Sequence, residues 1–125
     1  MNTNNRIIRV SVLIITMIVL SSFVSTGNLS AAETATKTIQ ITAESYTFTP
    51  GTINVNQGDR VILKITATDK DHGFGIKAYN INEVLPKSKT VAIEFVASKK
   101  GEFTIKCTKF CGLGHFGMKA KLIVT

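Results

Sequence analysis

The stretch Arg60-Val-Ile-Leu-Lys-Ile-Thr-Ala67 decides the fold class. Val61, Leu63, Ile65 and Ala67 occupy alternate positions, so an extended backbone turns all four to one face. Val91, Ile93, Phe95 and Ala97 repeat the pattern, with Thr90, Ala92, Glu94 and Val96 opposite. Shorter runs lie around them: Thr38–Ala43 about Ile39 and Ile41, Tyr46–Phe48 ending at the turn pair Pro50-Gly51, and Thr52–Val55 before the loop Asn56–Asp59. Phe74–Tyr79, Glu102–Cys107 and Met118–Val124 complete the set. Seven or eight short strands in roughly 90 residues, separated by Gly, Pro and Asn turns, predict an all-β antiparallel sandwich.

Composition narrows the function. The chain has 125 residues, enough for one small domain, and 44% of them are hydrophobic, which excludes a mainly disordered protein. Two cysteines are too few for a disulfide-stapled miniprotein, and a four-ligand zinc site would need both histidines as well. The net charge is +7. Its basic residues are mostly lysines scattered over strand faces and loops, without clustered arginines or interleaved stacking aromatics, so nucleic acid is not the expected partner.

The first 32 residues differ from the rest. Arg6 and Arg9 precede the apolar run Val10–Val24, and small residues follow up to Ser30-Ala31-Ala32. A positive end, an apolar middle and a small-residue exit describe a secretory signal cleaved after Ala32. Fifteen helical residues reach about 22 Å against a hydrocarbon core of about 30 Å, so a retained membrane anchor needs a longer span. Both alternatives put residues 33–125 outside the cytoplasm, in the periplasm or at the outer face of the cytoplasmic membrane. These residues carry 13 Lys+Arg against 8 Asp+Glu, a net of +5, so the domain itself is basic.

The chemistry-bearing residues fall in two places: the loop Asp71-His72-Gly73-Phe74-Gly75, and Cys107-Thr-Lys-Phe-Cys111-Gly-Leu-Gly-His115-Phe-Gly-Met118. Thiolate, imidazole and thioether favour copper over magnesium or calcium. A mononuclear blue copper site would use His72, Cys111, His115 and Met118 and leave Cys107 idle. Two thiolates four residues apart can instead bridge two copper ions, with His72 and His115 as terminal ligands. Met118 and a backbone carbonyl between the cysteines would then be the weak axial ligands. A disulfide between Cys107 and Cys111, a blue copper carrier and a copper-storing or copper-delivering protein remain alternatives at this stage.

The pattern His72…Cys107-x3-Cys111-x3-His115-x2-Met118 resembles the dinuclear copper A site of cytochrome c oxidase subunit II, with a similar site in nitrous oxide reductase. The likeness runs from about Thr38 to Val124 and includes Tyr46-Thr-Phe48-Thr-Pro50, His72-Gly-Phe74, Asn80-Ile-Asn82, Val84-Leu85-Pro86, Gly101-Glu-Phe103 and Cys111-Gly-Leu-Gly-His115. The short single-anchor bacterial subunits are most similar. The resemblance implies a Greek-key cupredoxin sandwich that passes electrons from a donor to an acceptor such as oxidase subunit I, holding two mixed-valence copper ions. It also implies that Lys109 contributes its backbone carbonyl.

Two departures bear on partners. Many subunit II chains have Glu at the position of Lys109, where it helps hold magnesium, and many have tryptophan, which this chain lacks. A basic domain repels a basic donor, so the expected donor is an acidic or apolar-faced protein such as a c-type cytochrome. Membrane association through the N-terminal segment fits the same picture. No catalysis is expected from this chain alone, because the ligand set leaves no open position for substrate.

Overall fold

The computed structural model describes residues 34–125. The segment 1–32, read above as a signal or anchor, lies outside the described residues. In chain order the strands are β1 (Thr36–Glu44), β2 (Thr47–Thr49), β3 (Thr52–Val55), β4 (Arg60–Ala67), β5 (His72–Ile76), β6 (Ile81–Leu85), β7 (Thr90–Val96), β8 (Gly101–Lys106) and β9 (Lys119–Val124). They form a four-stranded sheet in the order β2-β1-β4-β7 and a five-stranded sheet in the order β3-β9-β8-β5-β6. Two single-turn 3-10 segments, Lys77–Tyr79 and His115–Gly117, are the helical elements among the described residues.

The alternation in Arg60–Ala67 produces what it predicts: Val61, Leu63, Ile65 and Ala67 are all fully buried in β4. Burying a side chain the size of Leu63 or Ile65 stabilises the fold by about 1.5–3 kcal/mol. The two sheets meet through aromatic edges as well. Phe48 of β2 and Phe74 of β5 pack with ring centroids 5.5 Å apart at 85°, an edge-to-face contact across the sandwich. On the edge strand β7 the same period survives with looser burial: Ile93 is buried, while Val91 and Phe95 are half-buried.

The all-β sandwich is as expected, but its pairing is not purely antiparallel. β1 runs parallel to β4 from Thr36↔Arg60 to Ala43↔Ala67, and β3 runs parallel to β9. Alternation reports that a strand is half-buried and says nothing about its neighbour's direction. Between β1 and β4 the chain crosses to the other sheet for β3, and this excursion returns β4 in the direction of β1. The fifth expected strand, Phe74–Tyr79, also shifts. It begins at His72 and ends at Ile76, and Lys77–Tyr79 turns instead, closed by Asn80 in the left-handed region (φ 54°).

Candidate metal centre

His72 opens β5, where all five residues His72–Ile76 are buried. The sequence places this histidine in a loop, because Gly73 and Gly75 weaken the strand signal. In the structure those glycines let β5 pass close beneath the segment that follows β8. A Cβ on Gly73 would lie 2.3 Å from the Lys109 backbone nitrogen and 2.5 Å from Thr108 Oγ1. A Cβ on Gly75 would lie 2.5 Å from Thr108 Cγ2. No side chain fits in that space, so the strand bearing His72 and the segment bearing the cysteines can approach only through glycine.

The segment Cys107–Met118 joins β8 to β9 as a loop whose ends are tied, since the Cys107 N–H donates to the Met118 carbonyl at 3.1 Å. Tyr46 lies against its middle. The ring carbons of Tyr46 would stand 2.3–2.7 Å from a Cβ on Gly114, and its hydroxyl 2.5 Å from one on Gly112. Ser45 and Tyr46 both take left-handed backbone conformations, φ 49° and 63°, which turn the chain sharply at this contact.

These elements bring the predicted donors together. The ligand atoms of His72, Cys107 and Cys111 all lie within 4.8 Å of one another, and all three residues are buried. The two Sγ atoms are 3.6 Å apart, and both cysteines are free, so the disulfide alternative is not the state described. His115 Nδ1 lies 3.8 Å from Cys111 Sγ. The Cys107 thiol donates to the Lys109 carbonyl at 3.1 Å and accepts from the Gly73 N–H at 3.4 Å. Met118 is buried and lines a cavity of about 330 Å³ with Cys107 and His115. Of the five predicted ligand side chains, only His115 is partly exposed.

The fit to a metal rests on one nitrogen. His72 Nδ1 is buried without a hydrogen-bond partner. A buried polar atom left unpaired is costly unless something not yet placed completes it. Its other nitrogen explains the tautomer: Nε2 lies 2.7 Å from Asp69 Oδ1. An ionised carboxylate can only accept, so Nε2 carries the proton and Nδ1 keeps a free lone pair. A carboxylate behind a histidine in this way orients it toward a metal. The donor set and the orphaned nitrogen together fit a soft or borderline metal such as copper.

Residues 12–124 match the cupredoxin-like domain family. The chain belongs to that family. Among individual relatives of this cupredoxin, cytochrome c oxidase subunit 2 of Thermus thermophilus is 36% identical over 88 residues, covering 70% of this chain and 64% of that one. Nitrous-oxide reductase of Cupriavidus necator is 36% identical over 91 residues, covering 70% of this chain and 14% of that one. The chain therefore spans somewhat under two thirds of the oxidase subunit and a small part of the reductase. Among solved structures, the periplasmic domain of subunit II of cytochrome oxidase from Bradyrhizobium japonicum superposes with a TM-score of 0.65 at 18% identity, covering 71% of this chain and 83% of that one.

Two polar residues of the cupredoxin site were not singled out from sequence. Asp69 precedes His72 by three positions, a spacing too common to signal anything alone. Asp71 accepts from Lys109 Nζ at 2.7 Å and from the Lys87 N–H at 2.9 Å, tying the His72 segment to the cysteine loop. Lys109 thus pairs within this chain with Asp71, at the surface.

Charge states follow from these contacts. Burial, followed by the hydrogen bond and charge of Cys107, pushes the Cys111 thiol up to about 11, so the metal-free site holds a thiol at neutral pH. Burial alone would raise the Asp69 carboxyl. The His72 hydrogen bond and the N–H groups of Ser45 and Lys70 outweigh it and lower the pKa to about 2 from 3.8. A carboxyl whose pKa is depressed in the folded state stabilises the fold above its unfolded value and loses that contribution as pH falls through the folded one. Acidification of the metal-free domain from pH 3.8 to about 2 should therefore remove stability that Asp69→Asn lacks from the start. The same variant should bind copper about 10–100-fold more weakly in chelator competition. An unchanged acid profile together with unchanged affinity would remove Asp69 from the site's support.

Proposed function

We propose that residues 33–125 form an electron-transfer domain built around a dinuclear copper centre of the copper A kind. His72 and His115 would be the terminal ligands, Cys107 and Cys111 the bridges, and Met118 and the Lys109 carbonyl the weak ligands. The observation that carries this reading is the convergence of both thiols with His72, whose Nδ1 is buried and unpaired. A disulfide needs no histidine, and a single-copper site has no use for the second sulfur. Such a centre supplies one-electron redox chemistry with the charge shared over two metals. The chain's own part is to hold the donors still: four of the five ligand side chains are buried, the loop is tied at its base, and Asp69 fixes the His72 tautomer. Little then has to move when an electron arrives or leaves.

The oxidase and reductase relatives support a place for this domain in respiratory electron transfer, with an acidic or apolar-faced donor such as a c-type cytochrome and an acceptor such as oxidase subunit I. An extracytoplasmic location and a leader over residues 1–32 belong to the same proposal. Mass spectrometry of the mature N-terminus distinguishes a cleaved signal from a retained anchor.

Copper-loaded protein is expected to contain two coppers per chain and to show a seven-line paramagnetic spectrum, because one unpaired electron then couples to two equivalent copper nuclei. A four-line spectrum from a single copper, unchanged in Cys107→Ser, would replace this reading with a mononuclear carrier. Reversible Cu(I) release to an acceptor without redox cycling would replace it with copper delivery.

A further inference from the structure

Lys70 stands apart from the other cations of the domain. It is half-buried, and every other lysine among the described residues is exposed. An ammonium drawn partly out of water needs a compensating partner, and an ion pair is the usual one. Lys70 has none among the described residues. The neighbouring Asp69 carboxylate is occupied elsewhere, accepting from His72 Nε2 and from the backbone N–H groups of Ser45 and of Lys70 itself.

What Lys70 meets instead is Tyr46. Its Nζ lies 4.8 Å from the centre of the Tyr46 ring, within the range of a cation–π contact. The same ammonium donates to the Tyr46 hydroxyl at 3.4 Å. That tyrosine is wedged against the cysteine loop: a Cβ on Gly112 would lie 2.5 Å from the hydroxyl, and one on Gly114 2.3 Å from the ring. Gly112 follows Cys111 and Gly114 precedes His115. One hydroxyl therefore separates a positive charge from the backbone beside a bridging cysteine. Lys70 also lies two residues before His72, so the charge adjoins both segments that carry the proposed ligands. Burial, Cys107 and Asp69 push the Cys111 thiol up, and the Lys70 charge pulls against them, so it is felt at that sulfur.

We propose that Lys70, held in place by Tyr46, is an electrostatic tuning residue whose charge raises the reduction potential of the copper centre. This rests on the electron-transfer reading above and names a residue that sets how strongly the centre holds its electron. A nearby cation destabilises the more positive of two charge states, here the oxidised one, and so favours the electron's arrival. Partial burial matters because solvent and salt screen an exposed charge far more. Tyr46 keeps the ammonium against the loop, where an untethered lysine would swing out into water.

The test is a redox titration of the full copper-loaded chain and three variants. Lys70→Gln keeps a donor for the Tyr46 hydroxyl and loses the charge. It should lower the potential by about tenfold in the equilibrium constant for reduction, or about 59 mV, the order expected for one charge acting over about 10 Å through a half-buried surface. Copper stoichiometry, the paramagnetic spectrum and the unfolding midpoint of the metal-free protein should change little. Lys70→Arg keeps the charge and should hold the potential near that of the unaltered chain. Lys100→Gln removes an exposed charge and should barely move it. An unchanged potential in Lys70→Gln overturns the proposal, and so does an equal shift in Lys100→Gln. A shift that comes with an altered spectrum and persists in Lys70→Arg overturns it in favour of a packing role. The copper A reading fails separately: a four-line spectrum from one copper in the unaltered chain removes that reading. The potential difference between that chain and Lys70→Gln then still decides whether Lys70 tunes the metal.

Discussion

Cys107→Ser should leave the sandwich folded and abolish two-copper binding, with loss of the seven-line spectrum and a fall in stoichiometry to one copper or fewer. The residue sits where the site converges: its sulfur is 3.6 Å from Cys111 Sγ, 3.1 Å from the Lys109 carbonyl and 3.4 Å from the Gly73 nitrogen. A serine hydroxyl can still donate to the Lys109 carbonyl, so the metal-free fold should lose only about 1 kcal/mol. It cannot bridge two soft ions, because the hydroxyl is harder than a thiolate and keeps its proton at neutral pH. Cys111→Ser should do the same from the other side of the pair. Metal analysis and paramagnetic resonance on the purified variants check this directly. A Cys107→Ser protein that still takes up two coppers would refute the bridging role.

Gly73→Ala should be nearly as damaging, although it removes no ligand. The added methyl would fall 2.3 Å from the Lys109 nitrogen and 2.8 Å from the Thr108 nitrogen. These are backbone atoms, which cannot rotate aside, so β5 and the cysteine segment must separate. Overpacking of this kind costs about 1–3 kcal/mol. Here the displaced segment begins at Cys107, next to the strand that carries His72, so copper affinity should fall together with stability. Gly117→Ala is the control, since a Cβ there meets nothing within 4 Å. It lies in the same loop and should change little. Denaturant unfolding and copper titration of the two variants give the comparison, and a Gly73→Ala protein as stable as Gly117→Ala would show that the approach is not tight.

The two variants also mark what could be read before the fold was known. Cys107 announced itself, because two cysteines, two histidines and a methionine concentrated in two short segments have few uses other than soft-metal binding. Gly73 did not, since a glycine beside a histidine carries no signal until the partner surface is known. The strands followed the same division. Arg60–Ala67 was legible because burial on one face imposes a period of two. His72–Ile76 was not, because its glycines are required by a neighbour distant in sequence. Lys109 was noticed for the glutamate it replaces, yet its pairing with Asp71 depends on two loops meeting.

The sequence by itself determined the class of the fold and supplied the candidate donors, because alternation and ligand chemistry are local properties carried by residue type. Tertiary structure decided strand direction, the placement of His72 in a buried strand, the nitrogen of His72 left unpaired, and the one candidate ligand side chain that reaches the surface. Each of these depends on which segments become neighbours. That is set by packing two sheets around one core, and no window of the chain contains both sides of such a contact.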